Sequence, residues 1–279
     1  MSGPATVAAA LVQARQRGVA SLDAQLMLAR LLAATRAQLI AHDERVLAPE
    51  VAARWADWLG RRAGGEPVAY LLGEKEFFGL SLEVGPDVLV PRPETELLVD
   101  WALELLAGQE RPARVLDLGT GSGAIALAIR QGEPHAAVTA TDASPAALAV
   151  ARRNAERLSL EIEFVEASWW QGLERRSFDL VVANPPYVRA GDPALAALRH
   201  EPQAALVADE EGLAALRAII AGASAHLRAG GWLLLEHGFD QAAAVRDLLA
   251  AAGLDPVETR ADLAGLPRAT GAQARRASL

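Results

Sequence analysis

Residues 114–123 read Arg-Val-Leu-Asp-Leu-Gly-Thr-Gly-Ser-Gly. A short apolar run that ends in alternating glycines is typical of a buried strand whose backbone turns sharply into a helix and passes close to a ligand. The spacing is Gly-x-Gly-x-Gly, whereas dinucleotide-binding proteins carry Gly-x-Gly-x-x-Gly, so a nicotinamide oxidoreductase is disfavoured. The sequence predicts a ligand-binding loop formed by Gly119, Thr120, Gly121, Ser122 and Gly123.

Short apolar strands alternate with helical segments on both sides of this stretch. The predicted strands are 114–118, 137–141, 162–166, 178–183, 231–236 and 256–260, and the predicted helices between them are 124–131, 145–158, 212–228 and 240–252. This alternation is typical of a Rossmann-like α/β domain, in which a mostly parallel sheet is covered on both faces and ligands bind beyond the carboxyl ends of the strands. We expect residues 272–279 to form a frayed tail.

Two carboxylates accompany the glycine loop. Asp117 precedes the first glycine, where it would repel a pyrophosphate but could attract the ammonium group of a methionine moiety, directly or through water. Asp142 ends the next predicted strand, 19 residues after Gly123, and could accept hydrogen bonds from both hydroxyls of a ribose. A phosphate-free adenosine that carries a positive sulfonium fits these charges. The pattern therefore predicts S-adenosylmethionine as the cofactor, with S-adenosylhomocysteine as its product, and an ordinary tight turn is the alternative.

The fourth predicted strand of this domain leads directly into Asn184-Pro185-Pro186-Tyr187. An amide nitrogen is a poor nucleophile because its lone pair is delocalised. Two acceptors, Asn184 Oδ1 and the Pro185 carbonyl, could take both N–H protons and direct the lone pair toward a methyl donor, while Tyr187 offers a flat face to a planar group. We interpret the segment as a catalytic and substrate-binding loop for a planar amide or amine nitrogen. A proline-rich turn with a capping Asn is the alternative.

The first 75 residues have helical periodicity, and periodicity alone favours a small bundle that caps the enzyme over a domain that recognises a partner. Residues 76–91 alternate between apolar and polar positions and predict a β-hairpin linker. The predicted organisation is therefore a helical domain at 1–75, the hairpin at 76–91 and the catalytic domain at 92–279.

Composition excludes several classes of function. The chain has no cysteine, and its five histidines show no metal-ligand spacing, so neither a disulfide framework nor a metal site is expected. The net charge is −8, and the acidic excess lies after residue 75, which weighs against a nucleic-acid substrate. No signal peptide or membrane span is predicted, and we expect a cytoplasmic protein.

Several further motifs extend over essentially the whole chain. They are Tyr70-Leu71-Leu72-Gly73-Glu74-Lys75-Glu76-Phe77, Leu89-Val90-Pro91-Arg92-Pro93-Glu94-Thr95-Glu96-Leu97, His200-Glu201-Pro202 with Gly212-Leu213, Glu236-His237-Gly238 with Gln241, and Asp262-Leu263-Ala264-Gly265 before Arg268. Together with Asn-Pro-Pro-Tyr they resemble the HemK/PrmC family, the protein-(glutamine-N5) methyltransferases of class I peptide release factors.

The resemblance implies a seven-stranded methyltransferase domain behind a helical N-terminal domain that helps to grip the release factor. It implies that residues 119–123, Asp142, Trp169 and Asn184 contact the cofactor, with Trp169 stacking on adenine. Residues 184–187 would hold the glutamine of a Gly-Gly-Gln tripeptide. One departure is Ser168, where family members often carry Asp.

Other functions remain open at this level. Adenine-N6 methyltransferases of nucleic acids share Asn-Pro-Pro-Tyr, and sister enzymes methylate glutamine in a ribosomal protein, although residues 91–96 look more like the release-factor enzymes. A methyltransferase-like binding protein without turnover is a further alternative, against which the presence of Asp117, Asp142 and Asn184 weighs.

Overall fold

The computed structural model describes residues 6–108 and 111–275. The chain forms two compact units, Met1–Glu74 and Lys75–Leu279. In the part of the chain that is described, no helix combines the length and apolarity that crossing a bilayer requires.

The first unit is helical, as its periodicity predicts. Its helices are α1 (Val7–Gln16), α2 (Ser21–Leu32), α3 (Arg36–Ala41), α4 (Pro49–Ala63) and α5 (Val68–Leu72). Trp55 and Leu59 of α4 are fully buried with Met27 of α2, so that the apolar stripe of each helix is removed from water. The indole N–H of Trp55 donates to Gln13 Oε1 at 3.1 Å, which satisfies the polar atom of a buried ring.

The second unit contains a hairpin, a central sheet and the helices that cover the sheet. The hairpin strands are β1 (Glu74–Phe77) and β2 (Leu80–Glu83). The helices are α6 (Glu96–Leu106), α7 (Ala124–Gly132), α8 (Pro145–Leu158), α9 (Asp209–Gly212), α10 (Ala214–His226) and α11 (Ala242–Ala251). The remaining strands are β3 (Arg114–Leu118), β4 (Ala137–Asp142), β5 (Glu163–Glu166), β6 (Phe178–Ala183), β7 (Val188–Arg189), β8 (Val207–Ala208), β9 (Leu227–Glu236), β10 (Val257–Ala261) and β11 (Pro267–Gln273).

The central sheet has seven strands in the order β10-β11-β9-β6-β3-β4-β5. Strand β3 pairs in parallel with both β4 and β6, and only β11 runs antiparallel to its neighbours. Residues of α6 and α7 cover one face, and residues of α10 and α11 cover the other. The prediction of a mostly parallel sheet that is covered on both faces is confirmed. From β3 the chain continues outward to β4 and β5 on one side, and β6 then pairs with β3 on its other side. Such a switch point is where sheets of this kind bind ligands.

Strand β11 was not predicted from its sequence. The prediction of a frayed tail at 272–279 is wrong for its first two residues. Ala272 and Gln273 belong to β11 and pair with Leu233 and Trp232 of β9. The residues of this strand are mostly small and polar, so the apolar signal is weak. Pairing with strands on both sides stabilises the segment. Residues 276–279 lie outside the described part.

The hairpin is shorter than the predicted range of 76–91 and begins two residues earlier. After β2 the chain contains Gly85, Pro86 and Pro91, and proline lacks the N–H that a strand pair requires.

Asn154 of α8 connects the hairpin to the sheet domain through hydrogen bonds. Its side chain accepts from Glu83 N at 2.6 Å and donates to the carbonyls of Glu83 at 3.0 Å and of Ser122, in the glycine loop, at 2.9 Å.

We predict that Asn154→Ala lowers the free energy of unfolding by about 2–4 kcal/mol, because one buried and two half-buried backbone groups lose their partner at roughly 1–3 kcal/mol each and partly relax toward water. Urea denaturation measures the change. Arg157→Ala, at an exposed position of the same helix, is the matched control and should change stability by less than about 0.5 kcal/mol. Equal effects of the two substitutions would contradict this role of Asn154.

Candidate active site

The glycine loop leaves β3 in a conformation that only glycine adopts readily. Gly119 and Gly121 have φ of +74° and +56°, in the left-handed region that other residues rarely adopt. The N–H groups of Gly119 and Thr120 both donate to the Thr141 carbonyl of β4, at 2.9 and 2.8 Å. The loop is therefore held against the end of the neighbouring strand.

Gly123 opens α7 and allows this helix to pack closely. It has φ of +85°, and a Cβ atom there would lie 3.0 Å from Leu127 Cδ1 and 3.3 Å from Ala151 Cβ. Both the backbone angle and the space therefore favour glycine. The absence of a side chain at Gly123 permits this packing, and the residue does not line the cavity described below.

Asp142 at the end of β4 orders two loops. Its Oδ2 accepts from Gly121 N and its Oδ1 from Ser144 N, each at 2.9 Å. A carboxylate oxygen can accept more than one hydrogen bond, so Asp142 retains acceptor capacity beside these contacts. It lines the cavity, as the sequence predicts for a group that binds ribose hydroxyls.

Asp117 lies beneath the glycine loop, is fully buried and does not line the cavity. Its Oδ2 accepts from the Thr120 hydroxyl at 2.6 Å and from Ala126 N at 3.2 Å, whereas Oδ1 has no hydrogen-bond partner among the described residues. Burial raises the pKa of this carboxyl group to about 7. The contacts seen are those of a residue that holds the loop, and its expected attraction for a cofactor ammonium stays a prediction.

Two adjacent tryptophans have different surroundings. Trp169 has φ of +50° and lines the cavity. A Cβ atom at Gly119 would lie 3.7 Å from its ring, so glycine leaves this ring face free. Trp170 stacks on His226 at 4.7 Å between ring centroids and donates its indole N–H to the Ile219 carbonyl of α10. Of the two, Trp169 is the ring available to a ligand.

The Asn-Pro-Pro-Tyr segment follows β6 directly, as predicted. Asn184 is half-buried, and its Nδ2 donates to the Thr95 hydroxyl at 3.1 Å. Because the amide nitrogen is engaged by Thr95, the Asn184 Oδ1 atom is left as the acceptor. Asn184, Pro185 and Pro186 line the cavity, and Tyr187 does not.

Tyr187 is bound through its hydroxyl to Glu236, the last residue of β9. The hydroxyl donates to Glu236 Oε1 at 3.1 Å, whereas Glu236 Oε2 has no hydrogen-bond partner among the described residues. Glu236 is 1% exposed, and burial raises its pKa to about 7. The ring of Tyr187 packs with the core beneath α10. The predicted contact of Tyr187 with a planar substrate therefore remains an expectation.

The Pro-Arg-Pro-Glu-Thr-Glu segment closes the side of the cavity nearest α6. Arg92 forms an ion pair with buried Glu201, which also accepts from Val90 N at 3.0 Å. Glu96 Oε1 accepts from Phe78 N of the hairpin at 3.0 Å. In the sequence, Thr95 is recognisable only as part of the motif at 89–97. Its contact with Asn184 was missed because the two residues are 89 positions apart.

These elements surround a cavity of about 390 Å³. Of the sequence-predicted site residues, nine line it: Gly119, Thr120, Gly121, Ser122, Asp142, Trp169, Asn184, Pro185 and Pro186. Arg92 is the one basic residue among the described residues of its wall, and it is paired with Glu201. A cavity of this size and charge suits a nucleoside without phosphates. Within the described ranges no group of three or more His, Cys, Asp or Glu side chains is arranged to hold a metal ion.

Family models match most of the chain. The methyltransferase small domain matches residues 95–239, and the PrmC N-terminal domain matches residues 6–73. The chain is 50% identical to a release factor glutamine methyltransferase of Burkholderia pseudomallei, with 96% of each chain covered. It is 49% identical to the protein of that name in Bordetella pertussis, over 91% of this chain and 95% of that one.

Solved structures share the fold. A methyltransferase of Pyrococcus furiosus has a TM-score of 0.55 at 19% identity, covering 79% of this chain and 99% of its own. A 16S rRNA methyltransferase of Thermus thermophilus, in complex with AdoMet and guanosine, has a TM-score of 0.53 at 23% identity, covering 72% and 50%. The resemblance inferred from the motifs is thus confirmed by the full-length relatives, and the chain belongs to the release factor glutamine methyltransferase family.

Proposed function

We propose that this protein transfers a methyl group from S-adenosylmethionine to the side-chain amide nitrogen of a glutamine in class I peptide release factors. The observation that carries the proposal is the Asn184 amide. Its nitrogen is bound by Thr95, so that its oxygen is the acceptor at the cavity wall. The names of the close relatives supply the substrate class.

The cavity suits the cofactor. Asp142 provides acceptor capacity for ribose hydroxyls, Trp169 provides an aromatic wall, and the glycine loop lets backbone approach the ligand closely. When bound, S-adenosylmethionine supplies an electrophilic methyl group on a positively charged sulfur. Asp142, the glycine loop and Trp169 would hold it, and the described residues of the wall include no unpaired basic side chain for a phosphate.

The Asn-Pro-Pro loop would orient the nucleophile. Asn184 Oδ1 and the Pro185 carbonyl accept the two N–H groups of the substrate amide, which places the nitrogen lone pair out of that plane and toward the methyl donor. The N–C bond would form as the methyl–sulfur bond of the donor breaks and its electron pair goes to sulfur, which leaves S-adenosylhomocysteine, and the nitrogen would release one of these protons to solvent. Positioning supplies most of the acceleration, since no strong base is required before attack.

We also propose that the helical domain at 1–75 contributes to recognition of the release factor. The match of residues 6–73 to the PrmC N-terminal domain supports this assignment. The catalytic domain assigned to 92–279 contains every residue of the cavity wall except Asp87, Val88, Leu89 and Pro91.

The proposed function is tested by incubating the protein with labelled S-adenosylmethionine and a recombinant release factor, followed by peptide mass mapping. We expect one methyl group on the glutamine of the Gly-Gly-Gln tripeptide. A release factor with that glutamine changed to alanine is the control and should remain unlabelled. Label on duplex DNA, on a ribosomal protein or on another residue, with none on this glutamine, would reject the proposal.

We predict that Asn184→Ala lowers kcat on the order of 100-fold or more, because a preorganised polar group at the reacting centre is worth roughly 3–4 kcal/mol. Binding of S-adenosylhomocysteine, measured by calorimetry, should be largely spared. Retained turnover would remove Asn184 from the mechanism.

We predict that Asp142→Ala weakens S-adenosylhomocysteine binding by about 10- to 100-fold, since hydrogen bonds to a charged group contribute roughly 1.5–3 kcal/mol. Calorimetry gives the dissociation constant. Asp100→Ala, which removes the same charge from an exposed position of α6, is the control and should leave binding unchanged. An unaltered dissociation constant in Asp142→Ala would exclude a role for Asp142 in holding the ribose.

A further inference from the structure

We propose that Glu201 is a positioning residue for the methyl donor, because its carboxylate holds two loop segments together and so keeps the cavity wall in place around the bound cofactor. The inference rests on the proposed function, which takes S-adenosylmethionine as the occupant of the cavity. It also gives a shared role to two motifs outside the glycine and Asn-Pro-Pro-Tyr loops, the one at 89–97 and His200-Glu201-Pro202.

Two segments of the wall lie outside the central sheet. The first wall segment is residues 84–92, which follow β2, and the second wall segment is residues 198–206, which precede β8. Both contribute to the cavity wall: Pro91 and Arg92 belong to the first segment, and Pro202, Ala204 and Ala205 belong to the second. Since neither segment is part of the seven-stranded sheet, strand pairing does not fix the distance between them.

Glu201 joins the two wall segments through both oxygens of its carboxylate. Oε1 accepts from Arg92 Nη2, and Oε2 accepts from Val90 N at 3.0 Å. The side chain of Glu201 is only 2% exposed, and a buried charge is costly unless it is paired and hydrogen-bonded. Both of these partners belong to the first wall segment. Separation of the segments would therefore break both bonds at once.

The two partners of Glu201 require a carboxylate. The Arg92 guanidinium and the Val90 N–H group are both donors, and an ionised glutamate offers one acceptor oxygen to each. A glutamine side chain has the same shape but one oxygen and one NH2 group, so that one of the two donors would face another donor. Glu201→Gln therefore removes the connection while it keeps the size of the side chain.

Loosening of the wall segments is expected to act on ligand release. They border the same cavity as residues 119–122, Asp142 and Trp169, which are the groups proposed to hold the cofactor. A displaced wall segment removes contacts from a ligand that is already bound. Loss of a partner in a buried charge pair acts mainly on the rate of dissociation.

The experiment measures binding of S-adenosylhomocysteine to the full-length protein by stopped-flow fluorescence, with Trp169 of the wall as the reporter. We expect Glu201→Gln to raise the dissociation rate by roughly 10-fold or more, while the association rate changes by less than about threefold. Glu201→Ala, which removes both acceptors, should have at least the same effect. Calorimetry gives the dissociation constant independently, and circular dichroism establishes that each variant is folded.

The matched control is Asp179→Asn. The Asp179 side chain is 8% exposed, accepts from Arg114 N at 2.8 Å and pairs with Arg228 at 3.1 Å, so its partners are of the same kinds. It lies near the amino end of β6, at the edge of the sheet opposite the cavity, and does not line the cavity. The substitution should lower the melting temperature and leave the dissociation rate unchanged. A merely structural loss of a buried ion pair would act alike at both positions.

Hydrogen exchange of the unmodified protein, followed by mass spectrometry, tests the connection without any variant. S-adenosylhomocysteine should slow amide exchange in peptides from both wall segments together, because Glu201 makes them one unit. The loop at 133–136, which precedes β4 at the opposite edge of the sheet, is the internal reference and should be unaffected.

The outcomes separate the two proposals. An unmodified protein that does not bind S-adenosylhomocysteine, or that binds it and does not methylate the release factor, would contradict the proposed function. In a protein that binds it, an unchanged dissociation rate in folded Glu201→Gln and Glu201→Ala would overturn the positioning role alone. The same result would follow from equal acceleration in Asp179→Asn, or from slowed exchange in only one of the two wall segments.

Discussion

The parallel pairing of β3 with β4 on one side and β6 on the other is the constraint on which the site depends. Because the three strands run in the same direction, their carboxyl ends meet at one edge of the sheet. Residues 119–122 of the glycine loop, Asp142 and Asn184 follow these ends and line one cavity. Separation along the chain does not matter, since the register of the sheet brings the three segments together.

Buried carboxylates organise this edge in two different ways. Asp117 accepts from the Thr120 hydroxyl and Glu236 from the Tyr187 hydroxyl, and neither forms an ion pair with any of the described residues. Burial raises the pKa of each carboxyl group to about 7. Glu201, equally buried, is paired with Arg92 and also accepts from Val90 N. The ion pair closes the cavity wall, whereas a carboxylate whose partners are hydroxyls can set the direction of hydrogen bonds.

Motifs far from the glycine loop also meet at this edge. Gln241 donates to the carbonyl of Tyr187 at 3.1 Å and accepts from Gly238 N at 2.8 Å. Gly212 has φ of +83°, and a Cβ there would lie 2.2 Å from the Tyr187 carbonyl oxygen. The chain after Asn-Pro-Pro-Tyr is therefore held by glycine and glutamine contacts. These motifs maintain the shape of the Asn-Pro-Pro-Tyr loop.

The sequence by itself determined the fold class, most strands and the position of each polar motif after a strand, because apolar periodicity and glycine spacing are local properties. It also indicated the family. It did not reveal β11, whose residues have little apolar character, or that Tyr187 and Asp117 lie beside the cavity wall instead of on it. Only the tertiary structure decided that Asn184 contacts Thr95 and that Tyr187 contacts Glu236, because hydrogen bonds between distant segments depend on how the strands pair and leave no periodic signal in the chain.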